Sequence, residues 1–236
     1  MEDPQLLYCR AYQERMNLIT RGLAAAALLA LPLATTTPAA AAPEPAAAPM
    51  SLTASINALP TADEDRTGYQ RTSFKHWTDE DRDGCNTRAE VLIAESRIEP
   101  TIGPGCRVTG GEWFSYYDGE TWTAPGDVDI DHVVPLAEAW DSGASAWSAQ
   151  RRQAYANDLG SDVSLIAVTD NANQSKSDQD PAEWLPPLAG VRCTYVAEWV
   201  GTKLRWSLAA DQAERAALAR VAEGCGQQQV DYALAP

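Results

Sequence analysis

Asp129-Ile130-Asp131-His132-Val133-Val134-Pro135 and, further along, Asn171-Ala172-Asn173-Gln174-Ser175-Lys176 are the two stretches from which the rest of this sequence can be read. The first alternates polar and apolar residues and is rich in β-branched side chains, which predicts a strand over 128–134. It sets the second of only two histidines directly after a carboxylate. The second stretch predicts a short helix from Asn171 to about Ser177, capped by Thr169 or Asp170, with Asn173 and Lys176 on one face. Between them the pattern predicts a helix over 145–159 and a second strand over 163–169. This order brings Asp131 and His132, at the end of one strand, against Asn173 on the final helix. A carboxylate and an amide oxygen are hard ligands that suit Mg²⁺ or Mn²⁺. An adjacent imidazole can take a proton from water near neutral pH. Together these are the parts of a one-metal phosphodiesterase.

Upstream, the composition changes twice. Arg15 and Arg21 flank a start-like Met16, Gly22 to Leu33 is apolar, and Ala39-Ala40-Ala41-Ala42 offers small-residue cleavage sites. This predicts a signal peptide over 1–42, with Met16 as a candidate start, and hence a secreted, extracellular protein without a membrane anchor in its mature form. Residues 43–67 are Ala/Pro-rich and read as a linker. Residues 68–230 then form a single domain, ending in two amphipathic helices over 195–207 and 211–223.

Losing residues 1–42 removes three basic and three acidic residues, so the net charge stays at −15. Affinity for nucleic acid ordinarily comes from Lys and Arg neutralising phosphates, so an acidic chain must rely on a local basic residue and a divalent cation. Once Cys9 is gone, Cys85, Cys106, Cys193 and Cys225 remain, none in a C-x-x-C pair, which argues against a zinc ribbon. Export predicts two disulfides. Of three possible connectivities the favoured one is Cys85–Cys106 with Cys193–Cys225, because the latter would close the C-terminal helical hairpin.

Asp79-Glu80-Asp81-Arg82-Asp83-Gly84-Cys85 followed by Glu90 has the spacing of a calcium loop. Asp79, Asp81, Asp83 and Glu90 would supply carboxylates and Cys85 its carbonyl to a structural Ca²⁺. The competing reading is an acidic, solvated turn before a helix at 87–96. The eight tryptophans are spread over every predicted element, which favours core packing over base stacking.

In two longer motifs the sequence resembles the HNH, or ββα-metal, nucleases, and more narrowly their secreted Gram-positive branch. The motifs are Asp131-His132-Val133-Val134-Pro135-Leu136-Ala137-Glu138-Ala139-Trp140 and Asn173-Gln174-Ser175-Lys176-Ser177-Asp178-Gln179-Asp180-Pro181-Ala182-Glu183-Trp184-Leu185-Pro186. The resemblance implies an α+β fold with a ββα core at 128–187, a turn-rich N-terminal part and a C-terminal helical hairpin. It implies His132 as general base, Asp131 and Asn173 as metal ligands, and Lys176 near the substrate phosphate. The middle Asn of the family falls near Ser164, and Asn173 stands where many members have a last histidine. Asp129, Asp170 and Asn171 are candidates for a third ligand. The implied activity is that of an HNH-type endonuclease, a monomer hydrolysing DNA to 5′-phosphate and 3′-hydroxyl ends. The rival expectations are a calcium-stabilised extracellular binding module with a degenerate site, and an antibacterial nuclease toxin.

Overall fold

The computed structural model describes residues 49–236, and the signal-peptide segment, Met16 and the first residues of the expected linker lie outside them. The elements run β1 (Met50–Ser51), α1 (Leu52–Ala58), α2 (Thr87–Glu95), β2 (Thr101–Gly103), β3 (Arg107–Gly110), β4 (Trp113–Ser115), β5 (Glu120–Trp122), β6 (Val128–His132), α3 (Leu136–Asp141), α4 (Ala149–Ala156), β7 (Leu165–Thr169), α5 (Asp170–Lys176), α6 (Arg192–Trp206), α7 (Gln212–Ala222) and β8 (Gln229–Val230). Short 3₁₀ turns lie at Arg71–Ser73, Ala144–Ala146 and Ala189–Val191. The strands form four antiparallel pairs, β1–β8, β2–β3, β4–β5 and β6–β7. The result is a mixed α/β fold of small sheets and several helices.

The β6–β7 pair organises the centre, in register from Val128 opposite Thr169 to His132 opposite Leu165. Alternation along β6 sends Val128 and Ile130 into a core with Val91 and Leu92 of α2, Trp113 of β4, and Leu165 and Ala167. It sends Asp129 and Asp131 to the opposite face, where α5 packs. All five residues of β7 are buried, which explains why this strand reads as a continuous apolar run instead of an alternating one. The insertion between the strands is a shorter helix than its sequence pattern suggested. Ala144–Ala146 turns as 3₁₀ and the Ser148 hydroxyl then caps α4 at the Arg151 amide, 3.1 Å away.

The linker reading fails at residues 50–60. Ser51 caps α1 through its hydroxyl, and Leu52, Ile56 and Leu59 are buried against the C-terminal helices. Those three residues recur at helical spacing inside an otherwise Ala/Pro-biased stretch, so local periodicity outweighs composition. The C-terminal hairpin forms as expected from α6 and α7, with Cys193–Cys225 across it. Cys85–Cys106 joins the acidic loop to the segment before β3. Among the described residues no helix is long and apolar enough to cross a membrane.

Candidate active site

Each site residue is placed by an element whose formation has a local cause. His132 ends β6, is buried, and has Nε2 3.0 Å from the Ala156 carbonyl at the end of α4. A carbonyl only accepts, so Nε2 carries the proton and donates it, which leaves the lone pair of the neutral ring on Nδ1. Two aromatics lie near-parallel to the ring, Trp77 at 5.6 Å and 29° and Tyr155 at 6.4 Å and 20°. Trp77 has φ 57°, a left-handed conformation that a bulky residue adopts only where its surroundings impose it. Burial pushes the His132 pKa down to about 3, against the Ala156 hydrogen bond. The imidazole is therefore neutral at physiological pH, as a proton acceptor must be, and a nearby phosphate anion would raise its basicity.

Asp131 is held at both oxygens. The Tyr117 hydroxyl donates to Oδ2 at 2.7 Å, and Lys176 Nζ donates to Oδ1 at 2.9 Å and to the His132 carbonyl at 3.0 Å. Burial raises the Asp131 pKa, partly offset by Lys176 and Tyr117. Asn173 donates from Nδ2 to Asp129 at 3.0 Å, which fixes its amide so that Oδ1 remains free to accept. Asp129 is thereby an orienting partner of Asn173. Asp131, His132 and Asn173 share the lining of one pocket of about 300 Å³ with Arg71, Pro135 and Asp178. Asp170 and Asn171 do not line it.

Asp131 and the oriented Asn173 oxygen are hard donors. Each Asp131 oxygen keeps a second lone pair beyond the hydrogen bond it accepts. Two protein oxygens with water making up the rest suit a small, strongly hydrated cation such as Mg²⁺.

Lys176 is not where its motif position suggested. Its side chain is fully buried, and both of its bonds run to β6. Burial lowers its pKa, opposed by Asp131. It is a positioning partner of Asp131, sealed away from any substrate phosphate. Ser164, where the HNH resemblance would put its middle Asn, donates to Asp158 at 2.9 Å. Buried Asn157, just past α4, ties the insertion between the strands to residues 75–87. Its Oδ1 accepts from the Thr78 amide and the Thr87 hydroxyl, and its Nδ2 donates to the carbonyls of Lys75 and Gln153. Arg71, Trp77, Tyr117 and Asn157 were all missed from sequence, because nothing local marks a residue that reaches the site from another part of the chain.

The acidic loop is a separate construction. Ligand oxygens of Asp79, Asp81 and Asp83 lie within 4.8 Å of one another, and all three residues are exposed. The loop is wound by its own backbone: Gly84 N–H donates to Asp79 at 3.1 Å, Asp83 N–H to Asp81 at 3.2 Å and Cys85 N–H to Asp83 at 2.7 Å. Gly84 sits at φ 97°, which glycine adopts without strain. Burial raises the Glu90 pKa, with further contributions from Asp81, Asp83 and Asp79. Asn86 caps α2, accepting from the Ala89 amide at 3.0 Å.

Residues 72–221 match the family described as GmrSD restriction endonucleases, C-terminal domain. A relative described as an uncharacterized secreted protein, from the fungus Arthroderma benhamiae, is 45% identical over 175 residues, which span 74% of this chain and 83% of that protein. No solved structure matches. A fungal relative leaves the narrower Gram-positive placement without support. Two disulfides and a secreted relative agree with the export that the N-terminal segment predicts, and the protein is secreted. With well over half of its length matched, the chain belongs to the family of the C-terminal domain of GmrSD restriction endonucleases.

Proposed function

We propose that this protein is a secreted, divalent-cation-dependent endonuclease of the HNH type that hydrolyses DNA. The observation that carries the reading is the state of His132. Its tautomer is fixed by a backbone carbonyl, its ring has two near-parallel aromatic neighbours, and it shares a pocket with Asp131 and an oriented Asn173. Membership of a restriction-endonuclease family supports a nucleic-acid substrate.

His132 Nδ1 takes a proton from water, and the water oxygen attacks phosphorus as the bond to the 3′ oxygen breaks. The departing 3′ oxygen takes a proton from solvent, and the products are a 5′-phosphate and a 3′-hydroxyl. Asp131 and Asn173 would hold Mg²⁺ or Mn²⁺, and the chemistry such a cation supplies is charge stabilisation on the phosphoryl and leaving oxygens. Lys176 and Tyr117 keep Asp131 in one rotamer, and Trp77 and Tyr155 keep the imidazole in one plane. Preorganisation of that kind is what lets a weak base act at a fixed distance. The acidic loop at Asp79, Asp81, Asp83 and Glu90 is assigned to structural Ca²⁺, outside the catalytic pocket.

Supercoiled plasmid incubated with the purified protein tests this directly. Nicking and linearisation should require Mg²⁺ or Mn²⁺ and stop with EDTA. His132→Ala should lose on the order of 10²–10⁴ in rate at temperatures where the variant is still folded. Undiminished cleavage by that variant would remove His132 from the mechanism, and cleavage in EDTA would remove the cation.

A further inference from the structure

We infer that Arg71 is the substrate-phosphate anchor of the pocket, the role for which the motif had suggested Lys176. The inference rests on the nuclease reading and names the residue by which an acidic protein holds its polyanionic substrate. The need is clear from charge. The chain carries −15, and Asp131 and Asp178 line the pocket that a phosphodiester must enter.

The cations near that pocket are otherwise engaged. Lys176 is sealed beneath β6 on Asp131 and cannot leave without stranding a buried carboxylate. Arg66 is held by Asp141 at 2.5 Å and lies 3.6 Å from Asp178. Arg152 spends its donors on the carbonyls of Ser73, Ala144 and Trp147. Arg71 alone among the described Lys and Arg residues lines the pocket; its side chain makes no ion pair with a described carboxylate, and its hydrogen-bond partner is the uncharged Tyr69.

Its mounting is firm although its head is exposed. Arg71 opens the 3₁₀ turn Arg71–Ser73, whose carbonyl at Arg71 accepts from the Phe74 amide at 3.1 Å. Phe74 is fully buried, edge-on to Trp140 and Tyr155, and Arg152 donates to the Ser73 carbonyl at 3.2 Å. The backbone is therefore fixed three residues from a core anchor, and the guanidinium reaches the pocket from outside the β6–β7–α5 unit. A planar fork of donors matches two phosphate oxygens at once, which an ammonium cannot do.

Two measurements test the assignment. In the first, plasmid cleavage in Mg²⁺ is followed for wild type, Arg71→Ala and Arg71→Lys across a KCl series. Arg71→Ala should raise KM about tenfold, a typical cost of one lost charged contact, and flatten the log–log salt dependence by about one unit. Arg71→Lys should restore the salt slope and only part of the KM. Melting temperatures should coincide, because the side chain is exposed. In the second, a fluorescein-labelled DNA duplex is titrated by anisotropy with His132→Ala and with His132→Ala/Arg71→Ala, so that binding is read without turnover. The same tenfold weakening and the same change in slope are expected. Unchanged binding and slope in the double variant would overturn the anchor, whatever the catalytic result. If wild type fails to cleave but binding still depends on Arg71, the nuclease reading falls while the phosphate site stands.

Discussion

Two lysines of this protein are sealed from solvent, and their company differs. Lys203 of α6 lies between Glu138 at 2.8 Å and Glu214 at 2.5 Å, with the Ser142 hydroxyl and the Ala209 carbonyl also within 2.9 Å. Lys176 of α5 has one carboxylate, Asp131, and one carbonyl. Burial alone would lower both pKa values. Glu214 and Glu138 reverse the effect for Lys203, which is raised, whereas Asp131 does not for Lys176, which is lowered. The same residue type at the same depth thus does two jobs. Surplus negative charge makes Lys203 a staple for α3, α6 and α7, and a bare one-to-one pairing leaves Asp131 poised at the edge of a pocket.

Removing the staple should have the largest effect. Lys203→Met leaves Glu138 and Glu214 buried without their cation and should lower unfolding stability by about 3–5 kcal/mol. A urea midpoint equal to wild type would show that these acids are already neutral and would dissolve the contrast. Lys176→Met should cost less, about 1–3 kcal/mol, since Tyr117 still donates to Asp131. Its cleavage rate should nevertheless fall in the folded protein, and a variant equally active would strip Lys176 of its positioning role.

A third buried group sharpens the comparison. Glu198, also on α6, has a hydrogen bond from the Tyr116 hydroxyl, and burial pushes its pKa up to about 8. A carboxyl raised in the folded state favours folding at low pH, and that contribution is lost as pH rises from its unfolded value of 4.5 through about 8. Wild type should therefore lose melting temperature relative to Glu198→Gln across this window, and parallel curves would mean that Glu198 ionises freely. The smallest effect is expected at the solvated acids of the 79–90 loop. Calcium should raise the melting temperature, Asp81→Ala should cancel the rise, and cleavage below melting should be spared. A melting curve indifferent to calcium would reduce this loop to an acidic turn.

What sequence revealed and what it hid divide along the same physical line. Val128–His132 and Leu165–Thr169 were legible because β-branched runs announce strands, and the Asp131–Asn173 convergence followed from their order. The helical spacing of Lys176 gave the direction of its side chain but not its depth, and the depth assigns its role. Leu52, Ile56 and Leu59 carried a helical signal that the surrounding Ala and Pro residues obscured. Arg71 and Trp77 carried none, since their place beside His132 is set by tertiary contacts such as the Asn157 bond to Thr78.

The pairing of Met50 with Val230 also sets the length of chain that this fold must close. The strand that closes on β1 lies at the opposite end of the described chain, so this contact has a long loop to close. Until residue 230 has arrived, β1 has no partner strand, and α1 lacks part of the surface that will cover it. Among the four described strand pairs this one spans the longest stretch of chain, so its closure carries the largest loop entropy.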